Sequence, residues 1–168
     1  MTAERFANEL NSLLGRSTDA RQLLAWTLGW LAVSVRFKGG AIARLNGEDE
    51  LEIVAAFGQI DEAARKVKLR RGQGIAGTVV ATGRTIYSPD LDRPAAQSQG
   101  VVAAASRSVG TNRLIRSYLC SPLTAGDRVI GVMQIDSEQA DAFGEDNVAL
   151  FESVASALSL SGALASWG

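Results

Sequence analysis

GQGIAGTVVATGRTIYSPD, the sequence of residues 72–90, decides the fold. Its first glycines predict a turn, and the small and apolar residues Ile75–Ala81 predict a short helix. Gly83 is expected to end this helix, because glycine readily adopts the left-handed conformation found after helix C-termini. The residues that follow predict a strand ending at Pro89 and Asp90.

A second stretch, SPLTAGDRVIGVMQID at residues 121–136, predicts two strands joined by a tight turn at 125–127. Taken in this order, the two stretches resemble the GAF family of small-molecule sensor domains, over roughly residues 20–164. The first stretch alone leaves another interpretation open, since glycine turns before helices also form phosphate-binding loops.

The rest of the chain predicts helices at both ends and strands between them, which indicates the α+β class with a mostly antiparallel sheet. The resemblance implies a GAF/PAS-like sheet of five to six strands, with the N- and C-terminal helices packed on one face and a helix or loop lid on the other. The predicted helices are 3–14, 20–36 and one from an N-cap at Gly144 to about Leu164; the predicted strands are 39–45, 51–57, 67–69, 85–87, 116–124 and 128–136.

The length of 168 residues fits one domain over 1–168, with a core at about 20–164 and an N-terminal helical extension at 1–16. Lysine and arginine total 17 against 18 acidic residues, so the net charge of -1 provides no field that attracts nucleic acid or an anionic membrane. The basic run Arg65–Arg71 alternates with apolar residues like one solvated strand face, and it holds no aromatic residue to stack on bases. We expect neither nucleic acid nor membrane as a partner.

The chain contains no histidine, which excludes imidazole catalysis and histidine-ligated metal or haem. We expect no metal, no cofactor and no enzymatic activity. The single cysteine, Cys120, fits a reducing cytoplasm, and no apolar run is long enough to span a membrane. Cytoplasmic localisation is therefore expected.

Some GAF-like proteins reduce free methionine sulfoxide, which requires a nucleophilic cysteine and a second thiol. Cys120 stands alone in an apolar strand, so this reductase activity is disfavoured. Cyclic-nucleotide-binding members carry an Asn-Lys dipeptide that is missing here, and bilin attachment usually needs a histidine beside the chromophore. Cyclic nucleotide remains a weaker alternative, and photoreception is rejected.

The helix predicted at 20–36 has apolar residues on two nearly opposite faces, and the last helix shows the same pattern. Burial between elements of one chain explains this, and so does contact with a second subunit. The resemblance favours a homodimer, because GAF-like domains commonly dimerise through terminal helices. The expected interface residues are Leu24, Leu28, Leu31, Val35, Leu150, Val154, Ala157 and Leu164.

The segment 91–112 is long for a connection without regular structure, and the resemblance implies that it forms a lid over a ligand cavity. A surface loop without a ligand is the competing interpretation. Arginines near the lid favour a carboxylate or phosphate ligand. The candidate ligand-binding residues are Asp90, Arg107, Arg113, Arg116 and Asp136, although a structural role at the end of the last strand is favoured for Asp136.

The sequence thus predicts a non-enzymatic regulatory sensor domain that binds a small intracellular ligand and signals through the terminal helices of a dimer. The output domain or partner protein would lie outside this chain. The alternative is an architectural dimerisation module whose interior is filled by its own side chains.

Overall fold

Helices stand at both ends of the chain and strands lie between them, in a computed structural model that describes residues 2–16, 19–58, 68–92 and 115–167. The helices are α1 (Ala3–Leu14), α2 (Ala20–Ser34), α3 (Gly74–Thr82) and α4 (Glu145–Leu160), followed by a 3₁₀ helix (Gly162–Trp167). The strands are β1 (Gly39–Leu45), β2 (Glu50–Gly58), β3 (Leu69–Arg70), β4 (Ile86–Ser88), β5 (Ser117–Ala125) and β6 (Arg128–Ser137).

The strands form one six-stranded sheet in the order β3-β2-β1-β6-β5-β4, and every neighbouring pair is antiparallel. The β5–β6 hairpin turns at Gly126, whose φ of 60° lies in the region that glycine tolerates best. The predicted fold class is confirmed.

One face of the sheet carries α1, α2 and α4. Side chains from these helices join Ile42, Leu119, Met133 and Ile135 of the sheet in one apolar cluster. On the other face, α3 packs Ile75 and Val79 against a second cluster. The predicted lid falls largely on residues 93–114, which lie outside the described residues.

Capping residues stand at several of the helix ends. Asp19 caps α2 by accepting a hydrogen bond from the backbone nitrogen of Arg21 at 2.9 Å. Gly83 ends α3 with φ of 68°, in the left-handed conformation. Two helices end earlier than predicted: α2 stops at Ser34 because the next residue is extended and buries its side chain, and α4 stops at Leu160 because Ser161 is extended.

Two glycines sit where backbones approach closely. A Cβ atom added at Gly77 would lie 2.3 Å from the carbonyl oxygen of Arg70, and one at Gly131 would lie 2.4 Å from that of Ala43. Both distances are shorter than any real carbon–oxygen contact of this kind. Glycine is therefore required for α3 to meet the turn before it and for β6 to lie beside β1.

Most of the predicted interface residues are enclosed by the chain itself. Six of them have buried side chains: Leu24, Leu28, Leu31, Val35, Val154 and Leu164. They belong to the cluster between the helices and the sheet, so a second chain would have no access to them. Leu150 and Ala157 are partly exposed, and for these two the interface remains a prediction.

No helix within the described ranges is both long and apolar enough to cross a membrane.

Candidate ligand-binding site

Polar side chains form a row across three neighbouring strands, on the sheet face that also carries α3. Ser88 of β4 pairs with Tyr118 of β5, which pairs in turn with Asp136 of β6. Residues two apart on a strand share a face, so Gln134 projects on the same side. We call Ser88, Tyr118, Gln134 and Asp136 the polar face. Gln134 is half-buried, and the other three residues are buried.

The Tyr118 hydroxyl hydrogen-bonds the side-chain oxygen of Gln134. Burial raises the pKa of Tyr118 well above its ordinary value, and the neighbouring Cys120 and Asp136 raise it further. The phenol therefore stays protonated at neutral pH and donates to Gln134. This bond orients the Gln134 amide, whose nitrogen is a donor that a ligand can use.

Small side chains lie next to Gln134. The neighbouring residue on β1 is Ala41, which pairs in turn with Ala56 of β2. The register places both alanines on the polar side of the sheet, because their neighbours Ile42 and Ala55 pack on the opposite side. Ala41 is fully buried and Ala56 is half-buried, so short side chains border the amide on this side.

Asp90 and Arg116 meet just beyond the ends of β4 and β5. The guanidinium donates from Nη2 to Oδ2 at 2.6 Å and from Nε to Oδ1 at 3.3 Å. The Asp90 side chain is 5% exposed and that of Arg116 is 38% exposed. The hydrogen bond to Asp90 raises the pKa of Arg116, followed by the attraction between their charges. Asp92 lies 3.6 Å from Nε, so carboxylates already balance this cation.

Cys120 lies on the same side of the sheet, between Ile86 and Gln134 in the register. It is buried, and burial raises the pKa of its thiol. Because the thiolate is the nucleophilic form, this cysteine is unreactive in the folded chain.

Three backbone amides of the glycine turn before α3 are engaged in hydrogen bonds within the turn and the first helical turn. The nitrogen of Gly72 donates to the carbonyl oxygen of Gly77 at 2.7 Å, and that of Gly77 donates to Gln73 at 3.0 Å. The nitrogen of Gln73 donates to Arg70 at 2.9 Å. These three amides stabilise the turn itself and are not available to an anion.

The structure thus places three of the five predicted ligand residues. Asp90 and Arg116 form an ion pair, and Asp136 belongs to the polar face. Arg107 and Arg113 lie outside the described residues. Sequence reasoning missed Ser88, Tyr118 and Gln134. Strand alternation could have identified Tyr118 and Gln134, because residues two apart on a strand share a face. Tyr118 stands two residues after Arg116, and Gln134 stands two residues before Asp136.

Within the described ranges, no group of histidine, cysteine or acidic side chains has the arrangement that holds a metal ion. The site offers an oriented amide, hydroxyl groups and carboxylates next to alanine and a protonated thiol. Such a set can bind and orient a small polar molecule through hydrogen bonds, and it lacks an activated nucleophile.

Comparison with known proteins identifies relatives by sequence. The sequence profile of the GAF domain matches residues 4–161. The Nif-specific regulatory protein of Azospirillum lipoferum is 29% identical over 128 residues, which is 76% of this chain and 20% of that protein. The chain therefore spans about a fifth of the length of the curated relatives it matches.

Solved structures share the fold. The GAF domain of an Acinetobacter phosphoenolpyruvate-protein phosphotransferase matches with a TM-score of 0.77 and 19% identity, over 98% of this chain and 90% of that one. The free methionine-R-sulfoxide reductase of Neisseria meningitidis, solved with its substrate, matches with a TM-score of 0.72 and 23% identity, over 94% and 86%.

Proposed function

The chain belongs to the GAF domain family, and on that premise we propose that it is a regulatory sensor domain that binds a small molecule on the polar face. The observation that carries the proposal is the hydrogen bond between Tyr118 and Gln134, which lies beside the buried Ser88 and Asp136 on a sheet face that also packs an apolar cluster. Buried polar groups are costly unless they are hydrogen-bonded, and a purely structural interior would be better served by apolar side chains.

Regulation is the role that the curated relatives support. These relatives are Nif-specific regulatory proteins, and this chain matches a fifth of their length. We propose that this chain likewise reports ligand binding to an output domain or partner protein. A ligand that binds one conformation of the domain more tightly than another would shift the equilibrium toward that conformation. The size of the shift is set by the difference between the two binding free energies.

We propose that the domain is not an enzyme, although reductases share its fold. The chain has one cysteine, so it lacks the second thiol that would resolve a sulfenic acid. Burial also holds the pKa of Cys120 above its ordinary value, which suppresses the thiolate needed for attack on a sulfoxide.

Differential scanning fluorimetry against purines, amino acids, keto acids and aromatic acids tests the proposal. A ligand at about 100 times its Kd should raise Tm by roughly 5–10 °C. The Gln134→Leu variant should lose this shift, because leucine keeps the size of the side chain and removes the amide. Gln139→Leu, at an exposed position after β6, is the matched control and should keep it.

Two results would contradict the proposal. If no compound class stabilises the parent chain, the domain is an architectural module without a ligand. If Gln134→Leu and Gln139→Leu respond equally to a stabilising compound, that compound binds away from the polar face.

A further inference from the structure

A cleft opens on the sheet face that carries α4, beside the edge strand β4. One wall comes from residues 83–87 together with Ser121 of β5, and the other comes from α4. The volume of the cleft is about 540 Å³, within the roughly 300–1,000 Å³ that small-molecule sites occupy. We call this space the edge cleft.

Strand alternation separates the edge cleft from the polar face. Leu119 and Leu123 of β5 pack among the terminal helices, and Ser121 lies between them at the same spacing of two residues. Tyr118 and Cys120 instead belong to the cluster around α3. The edge cleft and the polar face therefore lie on opposite sides of the sheet.

A pair of hydroxyl groups forms the floor of the edge cleft. The side-chain oxygens of Thr85 and Ser121 are 2.8 Å apart, and Ser121 is 1% exposed. Two hydroxyl groups carry two protons, and the hydrogen bond between them uses one. The pair makes no other hydrogen bond with the described part of the chain. It therefore keeps a donor for a molecule in the cleft.

Opposite charges stand on the two walls. Arg84 follows the end of α3, and Glu152 lies across the cleft on α4; both side chains are exposed. Neither forms an ion pair with a described residue. A guanidinium group binds a carboxylate through two parallel hydrogen bonds, and a carboxylate accepts hydrogen bonds from an ammonium group. The walls thus suit a ligand that carries both charges.

A second space adjoins the edge cleft along α4 and adds another carboxylate. Its volume is about 510 Å³; it shares Tyr87, Val148 and Glu152 with the edge cleft and extends to Phe143 and Glu145. Glu145 is exposed and forms no ion pair with a described residue. The two glutamates are seven residues apart on one helix, which is a rise of about 10.5 Å. Apolar side chains lie between them.

We propose that the edge cleft and this extension bind a free basic α-amino acid, of which L-lysine is the type. The ligand carboxylate pairs with Arg84, its α-ammonium with Glu152 and its side-chain ammonium with Glu145. Its four methylene groups lie along Tyr87 and Val148. One cation and two carboxylates of the chain then meet one carboxylate and two cations of the ligand. The inference does not depend on the function proposed for the polar face.

Titration of the ¹⁵N-labelled chain with L-lysine, followed by amide chemical shifts, tests this inference. The shifts should concentrate at residues 83–87 and along the first half of α4, with a Kd in the millimolar range. Three analogues each remove one charge: lysine amide lacks the carboxylate, Nα-acetyl-lysine the α-ammonium and L-norleucine the side-chain ammonium. Each should bind about 10-fold more weakly than L-lysine, because a hydrogen bond to a charged group is lost.

Variants of the chain supply the matching half of the experiment. Arg84→Gln, Glu152→Gln and Glu145→Gln should each raise the Kd for L-lysine about 10-fold and leave the circular dichroism spectrum unchanged, because all three side chains are exposed. Arg21→Gln and Glu138→Gln are the matched controls, at exposed positions outside the cleft, and should leave the Kd unchanged.

Three results would overturn the inference. One is the absence of shifts with L-lysine at tens of millimolar. Another is equal or tighter binding of lysine amide, because this analogue has a higher positive charge and would then be held by the acidic side chains alone. The third is loss of L-lysine binding in Gln134→Leu, which would place the ligand on the polar face. Normal binding by Gln134→Leu keeps the two sites distinct, whatever the thermal-shift screen finds for the polar face.

Discussion

At the scale of single residues, the burial of Cys120 decides which chemistry the domain can perform. We expect Ellman's reagent to label the native chain at least roughly 100-fold more slowly than the chain in guanidinium chloride, because the thiol is buried and protonated. Leu160→Cys places an exposed thiol in the same fold and should react at once. Fast labelling of the native parent chain would show that the thiol is accessible, which would reopen a catalytic role.

The same residue predicts how stability depends on pH. A thiol in the unfolded chain has a pKa of about 8.5, and burial raises the pKa of Cys120 in the folded chain. The folded state therefore holds a proton that the unfolded state loses, so the free energy of unfolding should fall as pH rises above about 8.5. The slope for one group is about 1.4 kcal/mol per pH unit.

Urea titrations of the parent and Cys120→Ala between pH 8 and 10 measure this slope, and the alanine variant should lack the contribution of one proton. Above about pH 10, Tyr118 should lower the free energy of unfolding further, because burial also raises the pKa of its hydroxyl group. Tyr118→Phe should remove that loss. Parallel pH profiles for the parent and both variants would contradict the assignment.

At the scale of secondary-structure elements, the close approach of α3 to the turn before it depends on a glycine. Gly77→Ala should lower the free energy of unfolding by about 1–3 kcal/mol, because the added methyl group must displace the backbone at Arg70. Gly47→Ala is the matched control, since a Cβ atom there meets nothing within 4 Å. Urea unfolding compares them, and equal stability of the two variants would contradict the close approach.

The elements themselves could largely be predicted from the sequence. Helix ends such as the N-cap at Asp19 and the C-cap at Gly83 depend on interactions within a few residues, so the local sequence is enough to predict them. The direction that each face of α2 takes could not be predicted. Periodicity separates an apolar row through Leu28 from one through Val33 and says nothing about which row meets the sheet. The row of leucines packs against the sheet, whereas the other row is divided: Trp30 is buried, Trp26 stacks on Phe6 of α1, and Val33 is exposed.

The site could be predicted only in part, for a similar reason. Asp90, Arg116 and Asp136 stand at strand ends that the sequence marks clearly. The ion pair between Asp90 and Arg116 forms because β4 lies beside β5. The two residues are 26 positions apart in the sequence, so local patterns do not predict this contact. Tyr118 and Gln134 lie inside predicted strands. Strand alternation predicts which residues share a face of the sheet, but it does not predict whether polar groups line that face.

At the scale of the whole molecule, the homodimer expected from the family resemblance should make thermal stability depend on protein concentration. Unfolding of a dimer releases two chains, so Tm should rise when the concentration of the parent chain is raised. Leu150→Glu, at a partly exposed residue of the predicted interface, should show a Tm that stays constant across the same range. Scanning calorimetry at concentrations spanning two orders of magnitude measures this, and an identical dependence for the two proteins would contradict the assignment.

The ends of the sheet carry a different consequence. The six-stranded order finishes in β3, with two residues, on one side and in β4, with three, on the other. Strands this short expose few backbone donors and acceptors to a neighbouring molecule, and charged side chains that form ion pairs, such as Lys68 with Glu52, line the β3 edge. The native domain should therefore resist amyloid growth on prolonged storage at high concentration, even though its interior strands are strongly apolar.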